Sequence, residues 1–193
     1  MSTRPRSLQG RRRAAALAAA VLAALGPGPA SAQPHEDSVK AAYLTKFDPF
    51  VEWPPVHRPP AGGPVVLCVA GDDPFGRDLD QIATGAGAAG RTITVRRMAT
   101  LEAADGCHIL YAAGTARQSA ADMLRAVGAA PVLTVTDASR GGAGQGIIHF
   151  VVKDNRVRFH VDDEAAARQG IVLSSKLLSL AVSVKPRSRE PRP

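Results

Sequence analysis

One stretch of this chain, "PVVLCVAG" (64–71), is too uniformly apolar to lie half exposed; "CHILYAAG" (107–114) reads as another buried strand and "PVLTVTD" (131–137) as a further strand. Each is only as long as a strand. A strand that is apolar on both faces must be covered on both, which is the situation of a parallel strand between two layers of helix. Segments of helical spacing lie between these runs and feed that arrangement. Asp72-Asp73-Pro74 supplies a cap and a first-turn proline for a helix over 75–83, and a second helix is expected over 116–127. "RTITVRR" (91–97) alternates and reads as a further strand.

The two ends of this core differ in character. Ahead of it, Asp37 or Ser38 reads as the cap of a helix that carries Val39, Tyr43, Phe47, Phe50 and Val51 at helical spacing, with a kink at Asp48-Pro49. Behind it, "GIIHFVVKDNRVRFHV" (146–161) reads as a hairpin turning at Asp154-Asn155. Its second strand sends Val157, Phe159 and Val161 one way and Arg156, Arg158 and His160 the other. Asp162 or Asp163 then caps a short helix ending at Gly170, and a last helix follows Ser174-Ser175 with Leu177, Leu180, Ala181 and Val184 as its apolar stripe. The expected fold is α/β: a three-layer sandwich with a mixed, mainly parallel sheet and a C-terminal β-hairpin plus helix.

The formal charge of +7 looks like a nucleic-acid footprint until it is located. Five arginines, Arg4, Arg6, Arg11, Arg12 and Arg13, precede the apolar run 14–25 and the Ala30-Ser31-Ala32 motif. That order is the pattern of a secretory signal peptide over residues 1–32, and the apolar run is shorter than the roughly 20 residues a bilayer requires. The tail "KPRSREPRP" carries most of the remaining positive charge. Residues 33–185 read as one domain close to neutral, followed by a disordered basic tail over 186–193. A basic stripe on the domain would be the warrant for nucleic-acid binding, and none is visible.

Motif by motif, the chemistry is sparse. "GAGAAG" (85–90) has the letters of a dinucleotide fingerprint, but a helix precedes it and a strand follows, the reverse of what aims a helix N-terminus at a pyrophosphate. It reads as a helix stop and loop, and "GGAGQG" (141–146) as a loop between strands. Neither implies a cofactor. "CVAGDDPFG" ends the first strand as a ligand crevice would, but Asp72 and Asp73 repel phosphate and read as caps. No G-x-S-x-G, S-x-x-K, C-x-x-C or H-x-x-x-H spacing occurs, and His57, His108, His149 and His160 form no readable constellation. We therefore expect no catalytic set and no metal. In an oxidising compartment the isolated pair Cys68 and Cys107 reads as one disulfide, with two buried thiols as the alternative. Arg156, Arg158 and His160 form a basic face that is either a partner surface or a solvated strand face.

Read together, "VKAAYLTKFDPFVEWP", "LCVAGDDPFG", "GCHILYAAG", "VLTVTD", "GIIHFVVKDNRVRFHVD" and "AAARQGIVLSSKLLSLA" resemble, in order, the YfiR family of periplasmic proteins. The similarity runs from about Val39 to Val184. Its most specific pieces are Phe50-Val51-Glu52-Trp53-Pro54 and Ser174-Ser175-Lys176, with Gly71 between them. The resemblance implies a regulator rather than an enzyme: a periplasmic protein that holds an inner-membrane diguanylate cyclase inactive and so controls cyclic di-GMP and biofilm formation. It also implies redox sensitivity through the cysteines and a homodimer. A second cysteine pair found around the hairpin in some members is absent from "GGAGQGIIHF". The competing reading is a periplasmic small-molecule binding protein feeding a membrane sensor or transporter.

Overall fold

The computed structural model describes residues 33–85, 91–103, 106–141 and 144–188. The segment read as a signal peptide, most of "GAGAAG", part of "GGAGQG" and the last five residues lie outside the described residues. The chain runs α1 (Gln33–Leu44), β1 (Val51–Glu52), β2 (Val65–Gly71), α2 (Gly76–Gly85), β3 (Ile93–Met98), β4 (Ile109–Gly114), α3 (Ala120–Val127), β5 (Leu133–Asp137), β6 (Ile148–Lys153), β7 (Arg156–Asp162), α4 (Asp163–Arg168), β8 (Val172–Leu173), α5 (Ser175–Leu180) and β9 (Ser183–Lys185). Seven strands form one sheet in the order β3-β2-β4-β5-β6-β7-β9, and β1 pairs with β8 in a separate two-stranded ribbon. All neighbours in the large sheet are parallel except the β6–β7 hairpin. This is the mixed, mainly parallel α/β sheet expected from the apolar runs.

The alternation of side chains along β2 and β4 assigns the layers. Val65, Leu67, Val69, Ile109 and Tyr111 join α1 and α2 in one core, while Cys68, Ala70, Leu110 and Ala112 join Met123 and Val127 of α3 in another. Fully burying one such aliphatic side chain stabilises the fold by about 1.5–3 kcal/mol. α1 is fastened by an aromatic cluster: Tyr43 and Phe47 pack against Phe150 and Phe159 with ring centroids 5.7–6.2 Å apart. These two phenylalanines, with Val157 and Val161, are the inward face of the hairpin. The turn is where the sequence puts it: Asp154 and Asn155 both have positive φ, 51° and 56°, the requirement of a type I′ hairpin.

Several boundaries differ from the sequence-based expectation, each for a local reason. The first helix breaks rather than kinks. It ends at Leu44, where Thr45 Oγ1 donates to Ala42 O (3.0 Å), and Asp48–Phe50 form a separate 3-10 turn around Pro49. The helix expected from residue 116 begins at Ala120. Thr115 Oγ1 accepts from the N–H groups of Arg117 and Gln118, and Ser119 with Asp122 completes a capping box. The last helix stops at Leu180, which is 58 % exposed, so the expected stripe does not form. Ala181 turns extended, and Val184 lies instead in β9, which pairs with β7 through Val161. Beyond β9, Arg187 grips Asp163 through two hydrogen bonds (2.8 and 3.0 Å).

Candidate functional site

The family-specific pieces of the sequence, far apart in the chain, are neighbours in space. Val51 pairs with Leu173 and Glu52 with Val172, and the N–H of Ser174 donates to Phe50 O (2.9 Å). Ser174 then caps α5, its Oγ accepting from the N–H of Leu177 (3.3 Å). Inside this clasp Trp53 is buried, edge-on to His108 at 5.9 Å, and its Nε1 has no hydrogen-bond partner. The clasp exposes Glu52, Val172, Ser175 and Lys176. Gly71 lies elsewhere, at the carboxyl end of β2. At φ 96° a Cβ there would sit 2.4 Å from Gly114 O, so the two strand ends can approach only because the residue is glycine.

Cys68 and Cys107 form a disulfide, with Cα atoms 5.8 Å apart. Cys68 is fully buried in β2. Cys107, just before β4, lines a groove of about 230 Å³ with Val56, His57 and Arg58. His108 lines the same groove; its Nδ1 accepts from the Val66 N–H (3.0 Å), and burial holds its pKa below the ordinary imidazole value. No group of three His, Cys, Asp or Glu side chains that could hold a metal occurs among the described residues.

One polar cluster escaped the sequence reading. Lys40 of α1 and Asp137 at the end of β5 are both buried, and their charged atoms meet at 2.7 Å. Lys40 Nζ also donates to Ser139 Oγ (3.2 Å), while the Asp137 carboxylate accepts from Tyr111 OH (3.2 Å) and from the N–H and hydroxyl of Ser139 (2.9 and 2.8 Å). Burial alone pushes Asp137 upward. The hydrogen bonds from Lys40 and Ser139 outweigh it and hold the carboxyl below its ordinary value. Tyr111 is pushed well above the ordinary phenol value by burial and by the neighbouring carboxylate. The ion pair is closed to solvent and fixes α1 over the carboxyl edge of the sheet. Its signal was a lysine adjoining the apolar positions Ala41 and Leu44 of one helix.

Arg156, Arg158 and His160 lie on one face of β7, opposite the buried Val157, Phe159 and Val161. The sequence reading missed the residue that joins them. His149 of β6 is the cross-strand partner of His160, and both line a cleft of about 300 Å³ with Gln145, Gly146, Asp162 and Ser183. No described helix is long and apolar enough to cross a membrane.

No curated protein matches the chain. The family model described as YfiR/HmsC-like matches residues 37–182, from the last turns of α1 to the residue before β9, and takes in the clasp, the disulfide strands and the hairpin. The chain belongs to the YfiR/HmsC-like family.

Proposed function

We propose that this protein is exported by a cleaved signal peptide over residues 1–32 and acts in the periplasm as a regulatory binding protein. Its target is an inner-membrane diguanylate cyclase or related sensor, which it holds inactive. The observation that carries the reading is membership of the YfiR/HmsC-like family across residues 37–182. That membership supports, in general, a periplasmic regulator of a diguanylate cyclase rather than an enzyme. The Cys68–Cys107 disulfide fits an oxidising compartment. The regulator would bind the inactive state of the sensor more tightly than the active one and so shift the population between them. Arg156, Arg158 and His160 supply the partner face, and reduction of the disulfide loosens the domain and releases the sensor. The domain acts as a homodimer over residues 33–185.

The test is intracellular cyclic di-GMP after in-frame deletion, with a complemented control. A rise that the intact gene reverses is expected; an unchanged level overturns the repressor reading. A second reading, a small-molecule binding protein, draws on a crevice of about 280 Å³ at the carboxyl ends of β2 and β4, lined by Asp72, Thr115, Ser119 and Arg140. A ligand-dependent rise in melting temperature across a metabolite panel would favour it.

A further inference from the structure

The face of the hairpin that looks away from the core carries two like pairs directly across the strands. His149 faces His160, and Lys153 faces Arg156. Like charges in the position of Lys153 and Arg156 destabilise a sheet, and Arg158 between the two pairs faces only Val151. Lys153, Arg156 and Arg158 are exposed, and none is within ion-pair reach of a carboxylate among the described residues. The acids that do lie close are already engaged: Glu36 of α1, which lines a cavity of about 280 Å³ with Arg156 and Arg158, is 3.9 Å from Lys40 Nζ. Asp162 accepts from the Ala165 N–H (2.7 Å) and lies 3.4 Å from Lys185, while Glu164 holds Lys185 at 2.6 Å.

The two imidazoles are held in place. His149 Nδ1 is 2.9 Å from Thr136 Oγ1 and His160 Nδ1 is 2.6 Å from Ser183 Oγ. Thr136 Oγ1 accepts from the Gly146 N–H (2.9 Å) and still has a proton to give, as does Ser183 Oγ, so each hydroxyl can donate to the Nδ1 it faces. A ring that receives a hydrogen bond at Nδ1 carries its proton on Nε2. In that tautomer each Nε2–H is a donor for the 300 Å³ cleft that both rings line. Two fixed donors beside unpaired guanidinium groups suit an acceptor carrying negative charge. A metal would need free lone pairs and a third ligand.

From this we propose that the outward face of β6–β7 binds an extended acidic segment of a partner protein. His160, Arg158 and Arg156 recur every second residue along β7, a repeat of about 6.6–6.8 Å. An extended chain with carboxylates at alternate positions has the same repeat. One carboxylate enters the His149–His160 cleft and the next two meet Arg158 and Arg156. The partner's identity as a membrane sensor rests on the function proposed above, whereas the binding chemistry rests on this face alone.

The experiment is fluorescence anisotropy at low salt with the purified protein and two labelled peptides of equal charge, Glu-Ser-Glu-Ser-Glu and Glu-Glu-Glu-Ser-Ser. The alternating peptide is expected to bind at least threefold more tightly. R156S/R158S should weaken it tenfold or more and H160N about threefold, whereas R117S/R125S on and beside α3 should leave it unchanged. Circular dichroism of each variant checks the fold. Equal binding of the two peptides, equal binding of free glutarate, or indifference to R156S/R158S would overturn the proposal. A positive result in a strain whose deletion leaves cyclic di-GMP unchanged would keep the site and reject the sensor as its partner.

Discussion

Replacing Lys40 by methionine isolates the buried pair that anchors α1. The side chains of Lys40 and Asp137 are each 1 % exposed, so the substitution leaves a carboxylate with no counter-ion and no access to water. Breaking a buried pair in this way costs about 3–5 kcal/mol. Here the hydrogen bonds from Ser139 and Tyr111 remain on the carboxylate, which places the expected cost near the lower bound, about 3 kcal/mol. A domain of this size unfolds in urea with a slope of about 2 kcal/mol/M, so the midpoint should fall by about 1.5 M. The single tryptophan, Trp53, is 3 % exposed and reports the transition by fluorescence. Asp137→Asn should cost less, about 2 kcal/mol, because Lys40 Nζ keeps Glu36 and Asp37 at 3.9 and 3.8 Å. The double variant K40M/D137L should recover at least half of the summed loss, because it removes both charges together. Single variants that cost under about 1 kcal/mol, or a double variant equal to the sum of the singles, would refute a dry ion pair.

Reduction of Cys68–Cys107, which closes a loop of sequence separation 39, should lower stability by about 4 kcal/mol in the chain-entropy model. A urea midpoint that does not move with strong reductant would remove the redox release proposed above. Acidification should destabilise the fold from about pH 6.5 downward, because burial lowers the pKa of both His108 and His149 from the ordinary 6.5. The unfolded chain then binds protons before the folded one does, so stability is full above that pH and is lost as the pH falls toward the folded values. His108→Gln should flatten this dependence of the melting temperature between about pH 7 and 5, and an unchanged slope would show that other groups govern it. Gly71→Ala should cost about 2–3 kcal/mol, since the new Cβ would meet the backbone of Gly114 at 2.4 Å. A melting temperature within error of the parent would contradict that close approach.

The parts of the fold legible in the sequence were those in which one strong pattern had no competitor. Val65–Gly71 and Ile109–Gly114 are apolar on both faces, so a central parallel strand was their one consistent placement. Asp154-Asn155 tolerates the left-handed backbone and lies between alternating residues, so the hairpin and its turn followed. The less legible boundaries lay where a side chain competes for the backbone. Thr115 delays α3 and Thr45 helps end α1 by satisfying main-chain groups locally, an effect that apolar spacing does not record. β9 was missed because its three residues are stabilised by pairing with β7, not by any propensity of their own.

The candidate site shows the same division. Arg156, Arg158 and His160 could be placed on one face because strand alternation is a local rule. His149 could not be added to them without knowing the hairpin register, which sets it opposite His160. Lys40 and Asp137, on the first helix and the fifth strand, meet only because the sheet order brings the end of β5 beneath α1. A charged pair of that kind leaves no spacing in the sequence. The anomaly it does leave is a lysine adjoining the apolar face of a helix, which calls for an acid in the same core once its ammonium is buried, as that of Lys40 is. Desolvation alone carries that inference, and it calls for a partner without saying where in the chain the acid lies. Applied to the exposed cations of β7, it gives the opposite result: unburied charge needs no internal partner, so the carboxylates that answer it can come from another chain.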